Sequence, residues 1–189
     1  MSMHLTQAVK RAVQQAADEI ATVCAGRERT WREFSERVAK LAGAMRQLGL
    51  GEGDRAAILA LNSDRYFEFF YATPWAGGVF VPINIRLAAP EIEFWLSDSG
   101  SRLLFIDDQF LPMLDALRGR MDTVEHVIYM GDGDTPEGLL DYEQLLASAD
   151  PVDDAGRGYD DLAGLFYTGG TTGRSKGVML SHANLGTNS

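Results

Sequence analysis

Apolar residues recur along this chain in two spacings, one typical of amphipathic helices and one typical of buried strands. Between residues 5 and 20 they return every three or four positions, which predicts a helix over 5–20. The run 56–61 is apolar throughout, as expected for a strand that is covered on both faces. The two kinds of segment alternate along most of the 189 residues.

Cap and turn residues predict where several of these elements begin and end. Thr30 and Glu33 have the spacing of a capping box, so a helix is predicted to follow Thr30 and to end at Gly49. An aromatic-rich helix is predicted from Asp64, with Pro74 kinking or ending it. The other predicted elements are a hairpin at 22–31, strands at 77–83, 103–106, 127–129, 162–168 and 178–180, and helices at 91–99, 110–118 and 138–148.

This alternation predicts an α/β fold, a mostly parallel sheet with helices on both faces. Sheets of this type bind ligands at the carboxyl ends of their strands. We divide the chain into an α/β subdomain at 1–161 and a segment at 162–189 that holds a strand, a loop and the start of the next subdomain.

Composition excludes several classes of function. With 17 basic and 27 acidic residues the net charge is −10, which argues against a nucleic-acid surface. No apolar run approaches the ~18–20 residues that span a bilayer, so no membrane span is predicted. Cys24 is the single cysteine, which fits a reducing, cytoplasmic location, and its place in a predicted strand favours a packed core residue over a nucleophile.

The candidate chemistry lies at 167–177, which reads Tyr-Thr-Gly-Gly-Thr-Thr-Gly-Arg-Ser-Lys-Gly directly after the predicted strand 162–168. A glycine-rich loop that leaves a strand can turn its backbone N–H groups toward one anion. Arg174 and Lys176 add positive charge, and no Asp or Glu occurs in 162–189. The pattern indicates a phosphate-binding loop.

Three known loop patterns share some of these residues. Lys176 follows Ser175 and not a glycine, so the Walker pattern fails, and the dinucleotide fingerprint has a different glycine spacing. The stretch 173–177 does match the Gly-x-Ser-x-Gly elbow of serine hydrolases, with His182 as the only later base. No acid follows Asp161, which weakens that alternative, and His182 is predicted to be structural at the start of a helix.

The stretch 167–182 resembles the phosphate-binding signature of the AMP-forming adenylating enzymes, which include acyl- and aryl-CoA synthetases, luciferases and the adenylation domains of peptide synthetases. Gly169 stands where that family usually has Ser, and Ser175 where it usually has Pro. The segments 29–34, 51–55 and 81–84 are also similar to upstream parts of acyl-CoA synthetases. The resemblance implies the first subdomain of their large N-terminal domain.

The resemblance also implies a two-step reaction, in which ATP and a small-molecule carboxylic acid give an acyl-adenylate and coenzyme A then displaces AMP. The residues implied to hold the triphosphate are Gly169, Gly170, Thr171, Thr172, Gly173 and Lys176. Thr168 is implied to place Mg²⁺. No catalytic residue is assigned, because the remaining parts of the family's site lie downstream of these positions.

The chain is accordingly expected to be the N-terminal part of an acid–CoA ligase that is inactive alone. An exposed hydrophobic face is expected to favour self-association. A noncatalytic nucleotide- or partner-binding module is the alternative function. The sequence does not indicate which acid is activated.

Overall fold

The computed structural model describes residues 4–168 and 175–187. The helices are α1 Gln7–Ala16, α2 Trp31–Gln47, α3 Asp64–Ala76, α4 Ala89–Ser99, α5 Leu111–Leu117, α6 Tyr142–Ser148 and α7 His182–Thr187, with a 3₁₀ turn at Asp108–Phe110. The strands are β1 Ile20–Cys24, β2 Arg27–Thr30, β3 Arg55–Leu59, β4 Val79–Pro82, β5 Ser101–Ile106, β6 His126–Tyr129, β7 Leu140–Asp141, β8 Leu162–Thr168 and β9 Lys176–Ser181.

In the described part of the chain, seven strands form one sheet in the order β7-β6-β5-β3-β4-β8-β9. Every neighbouring pair is parallel except β8 and β9, which are antiparallel. Strands β1 and β2 form a separate hairpin. The predicted α/β fold with a mostly parallel sheet is therefore confirmed.

Helices cover both faces of this sheet, and alternate side chains of strand β5 pack against the helices on the two faces. Because successive side chains of a strand point to opposite faces, Leu103 and Phe105 pack on one side while Leu104 and Ile106 pack on the other. Helices α1, α2, α3 and α6 supply the first core, and α4 and α5 supply the second. Continuous apolar runs such as 103–106 are the consequence of this double burial.

The caps that the sequence predicts are formed. The backbone N–H of Thr30 donates to Glu33 Oε2 at 2.8 Å, and the Glu33 N–H donates to Thr30 Oγ1 at 3.3 Å. Gly49 follows α2 with φ +88°, a left-handed conformation that favours glycine. These local signals fix where α2 begins and ends.

Two predicted helices are shorter than their periodicity suggested. The helix predicted at 5–20 is Gln7–Ala16, and Ile20 instead begins β1, where it pairs with Thr30. The helix predicted at 138–148 begins at Tyr142, because the Asp141 carboxylate accepts from the Gln144 N–H and caps it there.

The helix end predicted at Pro74 and the core position predicted for Cys24 are both wrong, while a kink at Pro74 stays a prediction. Helix α3 continues through Pro74 and ends at Gly77, whose φ of +96° closes it. Cys24 is half-buried on the β1–β2 hairpin and belongs to neither core cluster, so the prediction of a packed core cysteine was wrong. The hairpin stands apart from the main sheet, and a strand pattern alone does not reveal that.

Among residues 4–168 and 175–187, no helix has the length and apolar character that crossing a bilayer requires. Val178 and Met179 on the edge strand β9 are 41 % and 67 % exposed. These two side chains belong to an exposed apolar surface such as the sequence predicts, and self-association through it stays a prediction.

Candidate phosphate-binding site

The predicted phosphate loop joins β8 to β9 as the turn of an antiparallel hairpin. Strand β8 runs parallel to β4, with Phe80 opposite Gly164, so the loop leaves β8 at the carboxyl edge of the parallel strands. That edge is where open α/β sheets bind ligands. The hairpin thus brings the loop to the position that the fold class predicts for a site.

Thr168 and Lys176 are the two predicted site residues whose positions the structure describes, and it pairs them directly. They are Cα partners at the end of the β8–β9 ladder, and both are exposed. Partners in an antiparallel ladder lie about 5 Å apart. The other predicted triphosphate residues, Gly169, Gly170, Thr171, Thr172 and Gly173, lie outside the described residues, as does Arg174.

The chemistry of this pair fits an anion that carries a divalent cation. Lys176 supplies a point charge with three N–H donors, and the hydroxyl of Thr168 supplies a donor for phosphate oxygen or an oxygen ligand for Mg²⁺. Strands β8 and β9 contain no Asp or Glu. The mouth of the hairpin can therefore accept phosphate without repulsion from its own strands.

The last residues of β8 are anchored on both faces of the sheet. Phe166 meets Phe80 edge to face, with ring centroids 5.7 Å apart. Tyr167, on the opposite face, stacks on Trp95 of α4, with centroids 4.7 Å apart and an interplanar angle of 19°. The Tyr167 hydroxyl donates to Asp98 Oδ2 at 2.7 Å. Burial and this carboxylate raise the pKa of Tyr167, so the phenol remains a proton donor at neutral pH.

Sequence reasoning missed the contribution of α4. Trp95 and Asp98 lie in a predicted helix far from the loop along the chain, and no spacing rule connects them to Tyr167. Their contacts exist because α4 packs on the face of the sheet to which Tyr167 points.

Helix α4 also changes the electrostatic interpretation of the loop. A cleft of about 520 Å³ separates α4 from the end of the loop, and its lining includes Glu91, Glu93 and Ser175. Although the segment 162–189 contains no Asp or Glu, acidic residues of α4 therefore lie near the end of the loop in the folded chain. Glu91, Glu93 and Ser175 line one cleft, and Lys176 is exposed at the hairpin mouth.

The serine-hydrolase alternative does not fit this geometry. Ser175 comes directly before β9 and not before a helix, so the sharp strand-to-helix turn of a nucleophile elbow is missing. His182 follows the far end of the six-residue strand β9, about 23 Å from Ser175 at ~3.3 Å per residue. An imidazole at that distance cannot take the proton of this serine.

His182 instead connects α7 to the start of the chain. Its side chain is buried, and its Nδ1 accepts from the Leu5 N–H at 3.2 Å. Its Nε2 is buried and has no hydrogen-bond partner among the described residues. Burial lowers the pKa of His182, although the Asp161 carboxylate opposes the shift. The structural role predicted for His182 agrees with these contacts.

Because the folded state resists protonation of His182, acid should destabilise the chain through this residue. As pH falls below the ordinary histidine pKa of about 6.5, the unfolded chain binds a proton that the folded chain refuses. We expect the free energy of unfolding to decrease by up to about 1.4 kcal/mol per pH unit in that window, and His182→Gln to remove this slope. Urea titrations between pH 7.5 and 5.5 measure it, with His126→Gln as the control. Equal slopes for wild type and His182→Gln would contradict this account.

Comparison with known proteins places this geometry in a family. The family model described as AMP-binding enzyme matches residues 9–189. The long-chain-fatty-acid–CoA ligase of Thermus thermophilus is 41% identical over 157 residues, which are 82% of this chain and 28% of the ligase. A feruloyl-CoA synthase of an Amycolatopsis species is also 41% identical over 157 residues, 82% of this chain and 29% of the synthase. The chain spans less than a third of the length of these relatives.

Solved structures agree with the sequence relatives. The anthranilate CoA ligase AuaEII, in complex with anthranoyl-AMP, superposes with a TM-score of 0.89 at 28% identity, over 96% of this chain and 35% of that one. ATP-bound MatB from Rhodopseudomonas palustris superposes with a TM-score of 0.81 at 29% identity, over the whole of this chain and 36% of that one. By the match over 9–189, this chain belongs to the family of AMP-binding enzymes.

Proposed function

We propose that this chain supplies the triphosphate-binding part of an ATP-dependent, AMP-forming carboxylic acid–CoA ligase. The carboxylate of the acid attacks the α-phosphorus of ATP and pyrophosphate leaves, which gives an acyl-adenylate. The thiol of coenzyme A then attacks the acyl carbon and AMP leaves. We also propose that the segment 162–189 begins the next subdomain. Because ATP and coenzyme A are the proposed co-substrates, we expect a cytoplasmic enzyme.

One observation carries the proposal: Thr168 and Lys176 are paired at the carboxyl edge of the parallel sheet, at the two ends of a Gly- and Thr-rich loop. In our proposal, the loop amides of 169–173 surround the triphosphate and Lys176 neutralises part of its charge. Thr168 would contribute an oxygen ligand to Mg²⁺, which when bound neutralises phosphate charge. Names of the relatives support ligase chemistry, and ATP is bound in one structural neighbour.

Removal of the Lys176 ammonium tests the proposal directly. We expect Lys176→Ala to weaken binding of Mg·ATP by about ten- to a hundredfold, because a charge-assisted hydrogen bond contributes about 1.5–3 kcal/mol. Titration calorimetry on wild type and variant at the same salt concentration measures the dissociation constants. Lys40→Ala removes the same charge from α2 and should bind Mg·ATP as the wild type does.

Two outcomes would count against the proposal. If wild type and Lys176→Ala bind Mg·ATP equally, the hairpin is not the triphosphate site. If the chain hydrolyses an activated ester and loses this activity in Ser175→Ala, the hydrolase alternative is correct despite the distance of His182. We expect neither, and we expect no ATP–pyrophosphate exchange by the chain alone.

A noncatalytic nucleotide-binding module would pass the binding test as well. Exchange assays with acetate, an aromatic acid and a long-chain fatty acid distinguish the two, using a full-length ligase in which this chain replaces the matching portion. Adenylate formation with any acid supports the ligase. Binding of ATP with no ATP–pyrophosphate exchange for any of these acids would favour the noncatalytic module.

A further inference from the structure

We propose that Tyr167 is the positioning residue of the phosphate loop: its ring, stacked on Trp95 and packed against Gly177, sets the geometry of both ends of the loop. The inference rests on the proposed function, since it assigns a role within the same site. In this proposal Tyr167 acts through its neighbours Thr168 and Lys176 and does not bind the ligand itself.

The register of the β8–β9 hairpin places Tyr167 next to both ends of the loop. Tyr167 and Gly177 are Cα partners, one residue inside the pair Thr168 and Lys176. A Cβ built on Gly177 would lie 3.2 Å from Cζ of the Tyr167 ring, so the ring is in close contact with β9. One side chain of β8 therefore touches both strands directly below the loop.

Tyr167 has two further contacts on α4, one with a core residue and one with an exposed residue. Trp95 is only 2 % exposed and packs with the second core cluster, so it offers an immobile surface for the stack. The hydrogen bond from the Tyr167 hydroxyl to Asp98, at 2.7 Å, adds a directional restraint. A sliding or rotation of the hairpin end would break the stack, the hydrogen bond or both.

Rigidity at this point matters for phosphate binding. The hydroxyl of Thr168 and the ammonium of Lys176 act on one ligand only if their strands keep their relative position. A site that is ordered before the ligand arrives loses less conformational entropy on binding. Helix α4 thus holds the loop in place through a single aromatic side chain.

The experiment compares four variants in Mg·ATP titrations, well below their unfolding temperatures. Tyr167→Ala removes the stack and the hydrogen bond, and we expect a dissociation constant about tenfold higher than that of the wild type, since small displacements of positioning groups have effects of this order or larger. Tyr167→Phe keeps the stack and should stay within about threefold. Gly177→Ala should weaken binding as well, because its Cβ presses on a ring that Trp95 prevents from moving.

Tyr71→Ala is the matched control for stability. Tyr71 is half-buried in α3 and packs against Phe34 and Phe67 in the core on the opposite face. Its truncation should lower the unfolding midpoint much as Tyr167→Ala does, with an affinity for Mg·ATP within about twofold of wild type.

A spectroscopic readout separates positioning from simple stability. The chain has three tryptophans, so the double variant Trp31→Phe, Trp75→Phe leaves Trp95 as the only one. In this background Tyr167→Ala should change the Trp95 emission, because it removes the stacked ring, whereas Tyr71→Ala should leave that emission unchanged.

The outcomes are distinguishable. Wild-type affinity in Tyr167→Ala, or equal losses in Tyr167→Ala and Tyr71→Ala, would overturn the positioning role while leaving the proposed function intact if Lys176→Ala still weakens binding. A wild-type chain that binds no Mg·ATP would overturn both proposals.

Discussion

Replacement of Glu68 by alanine is expected to lower the free energy of unfolding by about 3–5 kcal/mol, among the largest effects of any single substitution in the chain. Glu68 is fully buried on α3. Its carboxylate accepts from Arg37 Nε at 2.6 Å, from Arg29 Nε at 3.2 Å and from the Tyr142 hydroxyl at 2.7 Å. Four elements, β2, α2, α3 and α6, therefore meet at this one side chain.

The expected effect arises from the groups that remain after the substitution. Without the carboxylate, the buried Tyr142 hydroxyl and two largely buried guanidinium groups lose an acceptor. Burial of its guanidinium opposes the charged form, yet hydrogen bonds to Glu68 and Glu143 raise the pKa of Arg37, and Arg37 stays charged in either case. The variant would therefore bury positive charge that its remaining carboxylates balance less well.

Denaturant unfolding of three variants tests this interpretation. Glu68→Gln keeps the shape and part of the hydrogen bonding, and should be destabilised less than Glu68→Ala. Glu36→Ala removes an exposed carboxylate from α2 and should change the free energy of unfolding by less than about 0.5 kcal/mol. A Glu68→Ala chain as stable as Glu36→Ala would show that the network contributes little.

The second large effect is expected at Phe80, which packs the β8–β9 hairpin against the rest of the sheet. Its ring is 1 % exposed, lies 4.6 Å from the ring of Phe70 and 5.7 Å from that of Phe166, and faces Gly164 of β8. Phe80→Ala is expected to lower the free energy of unfolding by about 3–5 kcal/mol, through lost burial and the cavity that remains.

Gly164 makes this expectation more specific. A Cβ at Gly164 would lie 2.6 Å from Cε2 of Phe80 and 2.9 Å from Cε2 of Phe166, so Gly164→Ala alone should be destabilising by about 1–3 kcal/mol. With Phe80 truncated, the same methyl group enters the vacated space. The double variant should therefore be more stable than the sum of the single effects indicates, by at least about 0.5 kcal/mol.

A double-mutant cycle by guanidinium unfolding at one pH measures the coupling. Gly177→Ala serves as the control, because Gly177 also faces an aromatic ring but that ring belongs to the opposite face of the sheet. Its effect should add to that of Phe80→Ala. Strict additivity between Gly164→Ala and Phe80→Ala would contradict the contact inferred here.

The sequence was most informative where a signal is local. The capping box of Thr30 and Glu33, the helix end at Gly49 and the strand 162–168 all follow from a few neighbouring residues, and all are confirmed. Periodicity was less reliable at element ends. Residues 17–20 keep the helical spacing of apolar side chains, yet pairing of β1 with β2 draws Ile20 into a strand.

Sequence by itself determined the class of the fold and the position of the candidate loop, because alternation of apolar runs and the composition of 167–177 are properties of contiguous residues. The partners of Tyr167 and of Glu68 were decided by tertiary structure alone. Trp95 and Asp98 reach Tyr167, and Glu68 gathers its arginines, through the packing of elements distant along the chain. Contacts of this kind depend on which face of the sheet each helix covers. No residue spacing in a single sequence specifies that choice of face.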